Sequence, residues 1–284
     1  MLLLAGLLSF SLSSTAQAAD TVVVIPMGSA KPLQNVVTVA KGNSKFTNPV
    51  AAVNSITDAS ATNPYLVLIA PGTYTLTTTL VMKPYVDISG SGENITSLTG
   101  AISSANLDET AAIVKGANHT TLSNLSISNT GGSDNSFGIY ITGLDNSARL
   151  HQVNVTATGG VALSTGVLND SSSPIMTQMS IITSGGTGCY GVYNKSFSSS
   201  PTMTEVTIAA SGGTNNFAIY NMGNDIKVRR STLAGTTAGI ISPMSEVIIS
   251  QSTIIGDGFN NLATCVACDN GAGKALIANC TVAP

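Results

Sequence analysis

From residue 120 onward, apolar and polar positions alternate with period two, and the alternating stretch returns at a nearly constant interval. Four segments align: Leu122–Gly132, Leu150–Gly160, Met176–Gly186 and Met203–Gly213. Each reads apolar, two polar, apolar–polar–apolar, then a polar stretch closed by Gly-Gly. The second apolar residue of the triplet recurs as Ile127, Val155, Ile181, Ile208, Leu233 and Ile254, in steps of 28, 26, 27, 25 and 21 residues. The residue two before it recurs as Leu125, Val153, Met179 and Val206, then lapses to Ser231 and Ser252. Between the pair stand Ser126, Asn154, Ser180 and Thr207, and just ahead of it a polar column: Asn124, Gln152, Gln178, Glu205, Arg230 and Gln251. A second strand follows as Gly138-Ile139-Tyr140, Gly166-Val167-Leu168, Gly191-Val192-Tyr193, Ala218-Ile219-Tyr220 and Gly239-Ile240-Ile241.

Period two is the signature of a strand with one buried face. After residue 60 no window sustains a helical stripe, and Gly-Gly and Ser/Asn/Asp clusters break the strands at turns. A unit of about 25 residues with two or three short strands cannot bury its inner face alone, so successive units must stack. Equivalent strands then pair in parallel, about 4.8 Å apart. The expected fold is all-β, a right-handed parallel β-helix. An antiparallel sandwich or barrel also has many short strands, but two-residue hairpin turns are scarce here.

The N-terminal third adds two features. Residues 1–18 read as a secretory signal: an apolar run from Leu2 to Leu12, then Ala16-Gln17-Ala18 as a small-residue cleavage site. The positively charged start expected of such a signal is missing, which points to an upstream start codon or a shortened N-terminus. The mature chain, 19–284, is expected to form one domain, with no later run of about 18 apolar residues to anchor it in a membrane. Asn48-Pro49, followed by Val50, Val53 and Ile56, predicts a helix over 48–62 that caps the first coil. Coils are expected over 66–258 and an irregular end over 259–284.

Composition narrows the function. Charged residues make up only 9% of the chain, the net charge is −3, and no basic run exceeds Arg229-Arg230, so a nucleic-acid partner has no electrostatic footprint. Cys189, Cys265, Cys268 and Cys280 are candidates for disulfides that staple the C-terminal end in an oxidising compartment. The Cys265–Cys268 spacing lacks the second pair that zinc requires, and the only histidines are His119 and His151, so no metal and no cofactor is expected.

The passage from Phe46 to Gly100 resembles the opening coils of the pectin lyase-like superfamily, nearest to pectin methylesterases. The resemblance rests on the helix Pro49–Ser60, on Ala70-Pro71-Gly72-Thr73-Tyr74, and on Val86-Asp87-Ile88-Ser89-Gly90-Ser91-Gly92-Glu93-Asn94 leading to Thr96. It implies the fold. The activities that the superfamily carries require motifs this chain lacks: no glutamine pair precedes an aspartate, and Asn129-Thr130 runs into Gly131 rather than an aspartate. The carboxylates share no column of the repeat, so no catalytic residue is assigned.

The second strand supplies the candidate site. If Ile139, Val167, Val192 and Ile219 point inward, Tyr140, Leu168, Tyr193 and Tyr220 form an outward stripe. Such a stripe suits the CH faces of sugars, packing of a partner chain, or an overlying turn of the chain itself. After it come Asn169, Asn194 and Asn221, expected as a structural ladder. One residue further, Asp170 and Lys195, each two positions after the outward residue of adjacent coils, are expected to meet across the turn as an exposed pair. His119, His151 and Arg229-Arg230 read as solvated strand-edge residues. The functional expectation is a secreted or cell-surface module, exported in the bacterial manner. It would be structural or would contact polysaccharide or another surface chain, without catalysis. The alternative is a pectin lyase-like lyase, esterase or hydrolase acting on acidic polysaccharide.

Overall fold

Each apolar column of the repeat becomes a line of stacked side chains in a right-handed parallel β-helix. The computed structural model describes residues 35–42, 44–243 and 247–256, and the backbone of Ala275–Ala278 and Thr281–Ala283. The expected signal at 1–18 and Cys265, Cys268 and Cys280 lie outside the described residues. One sheet of 15 strands bends around two sides of the coil, and a sheet of seven strands closes the third.

The predicted register holds position by position. Ile127 pairs with Val155, Val155 with Ile181, Ile181 with Ile208, Ile208 with Leu233, and Leu233 with Ile254. Leu125, Val153, Met179 and Val206 are all buried beside them. Ser126, Asn154 and Ser180 are half-buried on the outer side and Thr207 is exposed. Where the inner column lapses, Ser231 and Ser252 stay buried because their hydroxyls bridge coils: Val206 N donates to Ser231 Oγ at 3.1 Å, and Ser231 N to Ser252 Oγ at 3.1 Å.

Four details differ from the sequence reading. The polar column is a hinge: Asn124, Gln152, Gln178, Glu205, Arg230 and Gln251 all hold φ between 48° and 58°. Left-handed backbone turns the chain sharply within one residue, so each long alternating stretch folds over a corner of the coil. Its side chains bond along the axis, with Gln178 Nε2 donating to Glu205 Oε2 at 3.1 Å and Arg230 paired with Glu205 at 2.8 Å.

The helix is shorter than expected and ends at Ser55, not at 62. Asn48 caps its start by accepting from Val50 N at 2.8 Å, and Ala52 and Val53 bury its inner face. Beyond Ile56 the chain offers Asp58, Ser60 and Thr62, with no apolar face to hold a further turn. Lys83 Nζ closes the end by donating to the carbonyls of Asn54 and Ile56 at 3.1 and 2.5 Å.

The coils also start before 66, because Asn35–Val39 precedes the helix and pairs with Tyr65–Ile69. They continue past 258 as well: Ala275–Ala278 pairs with Val247–Ser250, and Thr281–Ala283 with Thr253–Ile255. Both segments are runs of only three or four residues, too short to stand out in sequence.

Candidate functional site

The seven-stranded sheet carries the candidate stripe, and register places it as one line: Lys115, Tyr140, Leu168, Tyr193, Tyr220 and Ile241 are successive partners. A second outward line runs beside it through Ala112, Phe137, Thr165, Tyr190, Phe217 and Ala238. Strict alternation from Tyr193 would turn Tyr190 inward. Instead the strand kinks at the glycine column, whose members drop out of the pairing register. A β-carbon on Gly191 would stand 2.0 Å from Ile208 Cγ2 and 2.6 Å from the carbonyl of Ala218. The glycine therefore makes room for the β-branched side chain of the opposite sheet and lets residues three apart both face out. Ala218 occupies this column in the coil whose opposite inner residue is Leu233, which branches one carbon further out.

The two lines build an aromatic platform. Tyr190 and Phe217 stack with centroids 5.5 Å apart, Tyr193 and Tyr220 lie 5.3 Å apart, and Tyr190 meets Tyr193 edge-on at 5.4 Å. Tyr190 and Tyr220 close the group at 5.0 Å. All four residues are half-buried. Such offset and edge-on pairs favour one another beyond area burial, so the rings hold a common orientation.

The predicted stripe is thus only partly a surface. Tyr140 is 5% exposed and Leu168 is fully buried, because Leu107, Ala111 and Ala112 pack over them together with Phe137. The covering segment is pinned by Thr79 Oγ1, which donates to the carbonyls of Glu109 and Ala112 at 2.8 Å each. Tyr193 and Tyr220 remain open, and Tyr190 and Phe217 join them. The recurring Phe/Tyr-Gly/Ala-Ile/Val-Tyr tetrads at 137–140, 190–193 and 217–220 were the sequence signal for these two missed residues.

Burial, followed by the proximity of Tyr220, raises the pKa of Tyr190 and Tyr193 above the ordinary phenol value. Both hydroxyls therefore stay protonated and uncharged at neutral pH, as donors and acceptors at the platform edge.

Beneath the platform the asparagine ladder is buried. Asn169 Nδ2 donates to Asn194 Oδ1 at 3.1 Å, and Asn194 Nδ2 to Asn221 Oδ1 at 3.1 Å. Asn221 Nδ2 donates in turn to Ser242 Oγ at 2.9 Å. These residues do not adopt left-handed backbone; in that turn it falls to Ser171, with φ 53°.

Asp170 and Lys195 meet as predicted, 3.1 Å apart, with Ser196 Oγ also donating to the carboxylate. Burial works against the ionised form of Asp170, but the bonds from Ser196 and Lys195 outweigh it and hold its pKa below the ordinary carboxylate value. A depressed native pKa adds stability that is present above the unfolded value of about 3.9 and lost as pH falls through the native one. The stability gap between the wild-type protein and Asp170→Asn, measured by urea midpoints, is therefore expected to be open at neutral pH and to close in acid. A gap that persists unchanged below about pH 3 would remove Asp170 ionisation as its source.

The remaining sequence candidates add no side chain to the ring surface, although Cys189 directly precedes Tyr190. Cys189 is a free, buried thiol whose Sγ donates to the Gly185 carbonyl at 2.6 Å, and burial pushes its pKa up to about 11. His119 stacks on Tyr85 at 4.8 Å, and His151 Nδ1 lies 2.9 Å from Thr177 Oγ1. Among the described residues no three of His, Cys, Asp and Glu gather into a metal-holding group.

No family model matches the chain, and no curated protein matches it by sequence. Solved structures do. Pectin methylesterase from carrot aligns with a TM-score of 0.62 and 14% identity, covering 90% of this chain and 85% of that one. Pectin methylesterase from Aspergillus niger aligns with a TM-score of 0.58 and 13% identity, covering 88% and 85%. A pectin methylesterase in complex with a hexasaccharide aligns at 0.50 and 14%, covering 79% and 81%. The shared feature is the fold, the right-handed β-helix of the pectin lyase-like kind.

Proposed function

We propose that this chain is a secreted or cell-surface β-helix that contacts polysaccharide through the platform of Tyr190, Tyr193, Phe217 and Tyr220, without cutting it. The carrying observation is the platform itself: four half-buried rings from two adjacent coils, packed on one another at 5.0–5.5 Å. Stacked rings with edge hydroxyls suit a ligand with apolar faces and hydroxyl rims, which is what a sugar chain offers. A β-helix of the same fold holds a hexasaccharide, which adds support from outside the chain. The fold neighbours also favour a second reading, an esterase or lyase acting on acidic polysaccharide. Methanol release and unsaturated-product absorbance assays on pectin and polygalacturonate distinguish it from binding alone.

A glycan array probed with wild-type protein and Tyr193→Ala tests the proposal. Losing one stacking ring is expected to weaken binding about tenfold, equivalent to about 1.4 kcal/mol. The melting temperature should fall by only a few degrees, because the ring is not part of the inner core. A clear drop in melting temperature with unchanged glycan signals would assign the rings to packing alone.

A further inference from the structure

We infer that the ligand of this platform is an uncharged, equatorially linked β-glycan lying along the solenoid axis, and that acidic polysaccharides are poor ligands. The inference rests on the platform reading above and adds the class of sugar. Three observations carry it.

The first is direction. Equivalent rings in adjacent coils lie 5.3 Å apart for Tyr193 and Tyr220, and 5.5 Å for Tyr190 and Phe217. That step is close to the length of one pyranose unit, so a chain laid along the axis meets one pair of rings per sugar. At the covered end Leu107 and Ala111 pack with Tyr140 and Phe137 and bound the platform.

The second is shape. The two outward lines form a surface two rings wide, and ring-on-sugar contact needs an unbroken CH face. Equatorial linkages and substituents leave such faces on both sides of a β-linked chain. The axial linkages of a galacturonan interrupt them.

The third is charge. Two lysines lie along this sheet: Lys195, two residues beyond Tyr193, and Lys115, in register with the buried Tyr140 and three coils from Tyr193. Each is already tied to a carboxylate of its own, Lys115 to Glu109 at 3.1 Å and Lys195 to Asp170 at 3.1 Å. A neutral pair presents little net field to a ligand, so a uronic acid carboxylate would lose hydration here without gaining a free cationic partner.

The test is a titration of the full chain with soluble xyloglucan or mixed-linkage β-glucan and, in parallel, with polygalacturonate, each at low salt and at tenfold higher salt. The expected result is saturable binding of the neutral glucan that changes less than twofold with salt. Polygalacturonate should bind at least tenfold more weakly. Asp170→Asn, which frees Lys195 outside the ring platform, should raise polygalacturonate affinity severalfold and leave the glucan unchanged. Glu109→Gln does the same for Lys115 and serves if the first variant folds poorly. Tight, salt-sensitive polygalacturonate binding that Tyr193→Ala abolishes would overturn the sugar class and leave saccharide contact standing. No binding of either polymer would overturn both.

Discussion

Ile181→Asp is expected to leave the chain without its native fold. Ile181 is fully buried, in register with Val155 on one side and Ile208 on the other. Its Cγ2 reaches into the space left by Gly166, 2.2 Å from where a β-carbon on that glycine would lie. An aspartate there places a carboxylate in a stack of aliphatic side chains. The effective penalty for an unpaired buried ion is several kcal/mol even after relaxation, to which the loss of aliphatic packing adds. Native domains are stable by only about 5–15 kcal/mol in total. Circular dichroism should show the parallel-sheet signal lost or the urea transition no longer cooperative. Ile181→Val, which removes one methylene, should cost only about 1 kcal/mol. A cooperatively folded Ile181→Asp protein would mean that this position is not in the core.

Asn194→Ala is expected to cost about 2 kcal/mol or more, the largest effect among the polar positions. Asn194 is fully buried and joins two neighbours, accepting from Asn169 Nδ2 and donating to Asn221 Oδ1. Alanine leaves both groups short of one bond in a place water does not reach, and opens a small cavity beside them. Asn169 Nδ2 keeps its bond to the Ser172 carbonyl and Asn221 Oδ1 its bond from Gly223 N, so each neighbour loses one of two bonds. A urea midpoint lowered with unchanged slope is the expected readout. A stability equal to wild type would show that the ladder is incidental to the turn.

The inner columns were legible in sequence because they depend on one property, the alternation of apolar and polar side chains, repeated often enough to average out lapses. Ile127, Val155, Ile181 and Ile208 were placed correctly for this reason, and the Asp170–Lys195 contact followed from the same alignment. The corner at Gln152, Gln178 and Glu205 was not legible. These residues look like ordinary polar strand positions, and nothing in a Gln or Glu side chain announces left-handed backbone. Tyr190 and Phe217 were missed for a related reason. A strict period of two fails at the glycine kink: counted back from Tyr193 and Tyr220, it would turn Tyr190 and Phe217 inward. Burial of Tyr140 and Leu168 depends on the segment around Leu107, which lies outside the repeat and leaves no trace in its periodicity.

Tyrosine emission gives the most direct measurement of whether the platform is a binding surface. The chain has seven tyrosines and no tryptophan, and Tyr140, Tyr190, Tyr193 and Tyr220 line the two outward columns. Titration with a soluble neutral β-glucan should change this emission saturably, and the change should vanish in Tyr193→Ala/Tyr220→Ala protein that retains its circular dichroism spectrum. An emission change of the same size and midpoint in that double variant, or none in the wild-type protein across the glycans tested, would contradict saccharide contact at these rings.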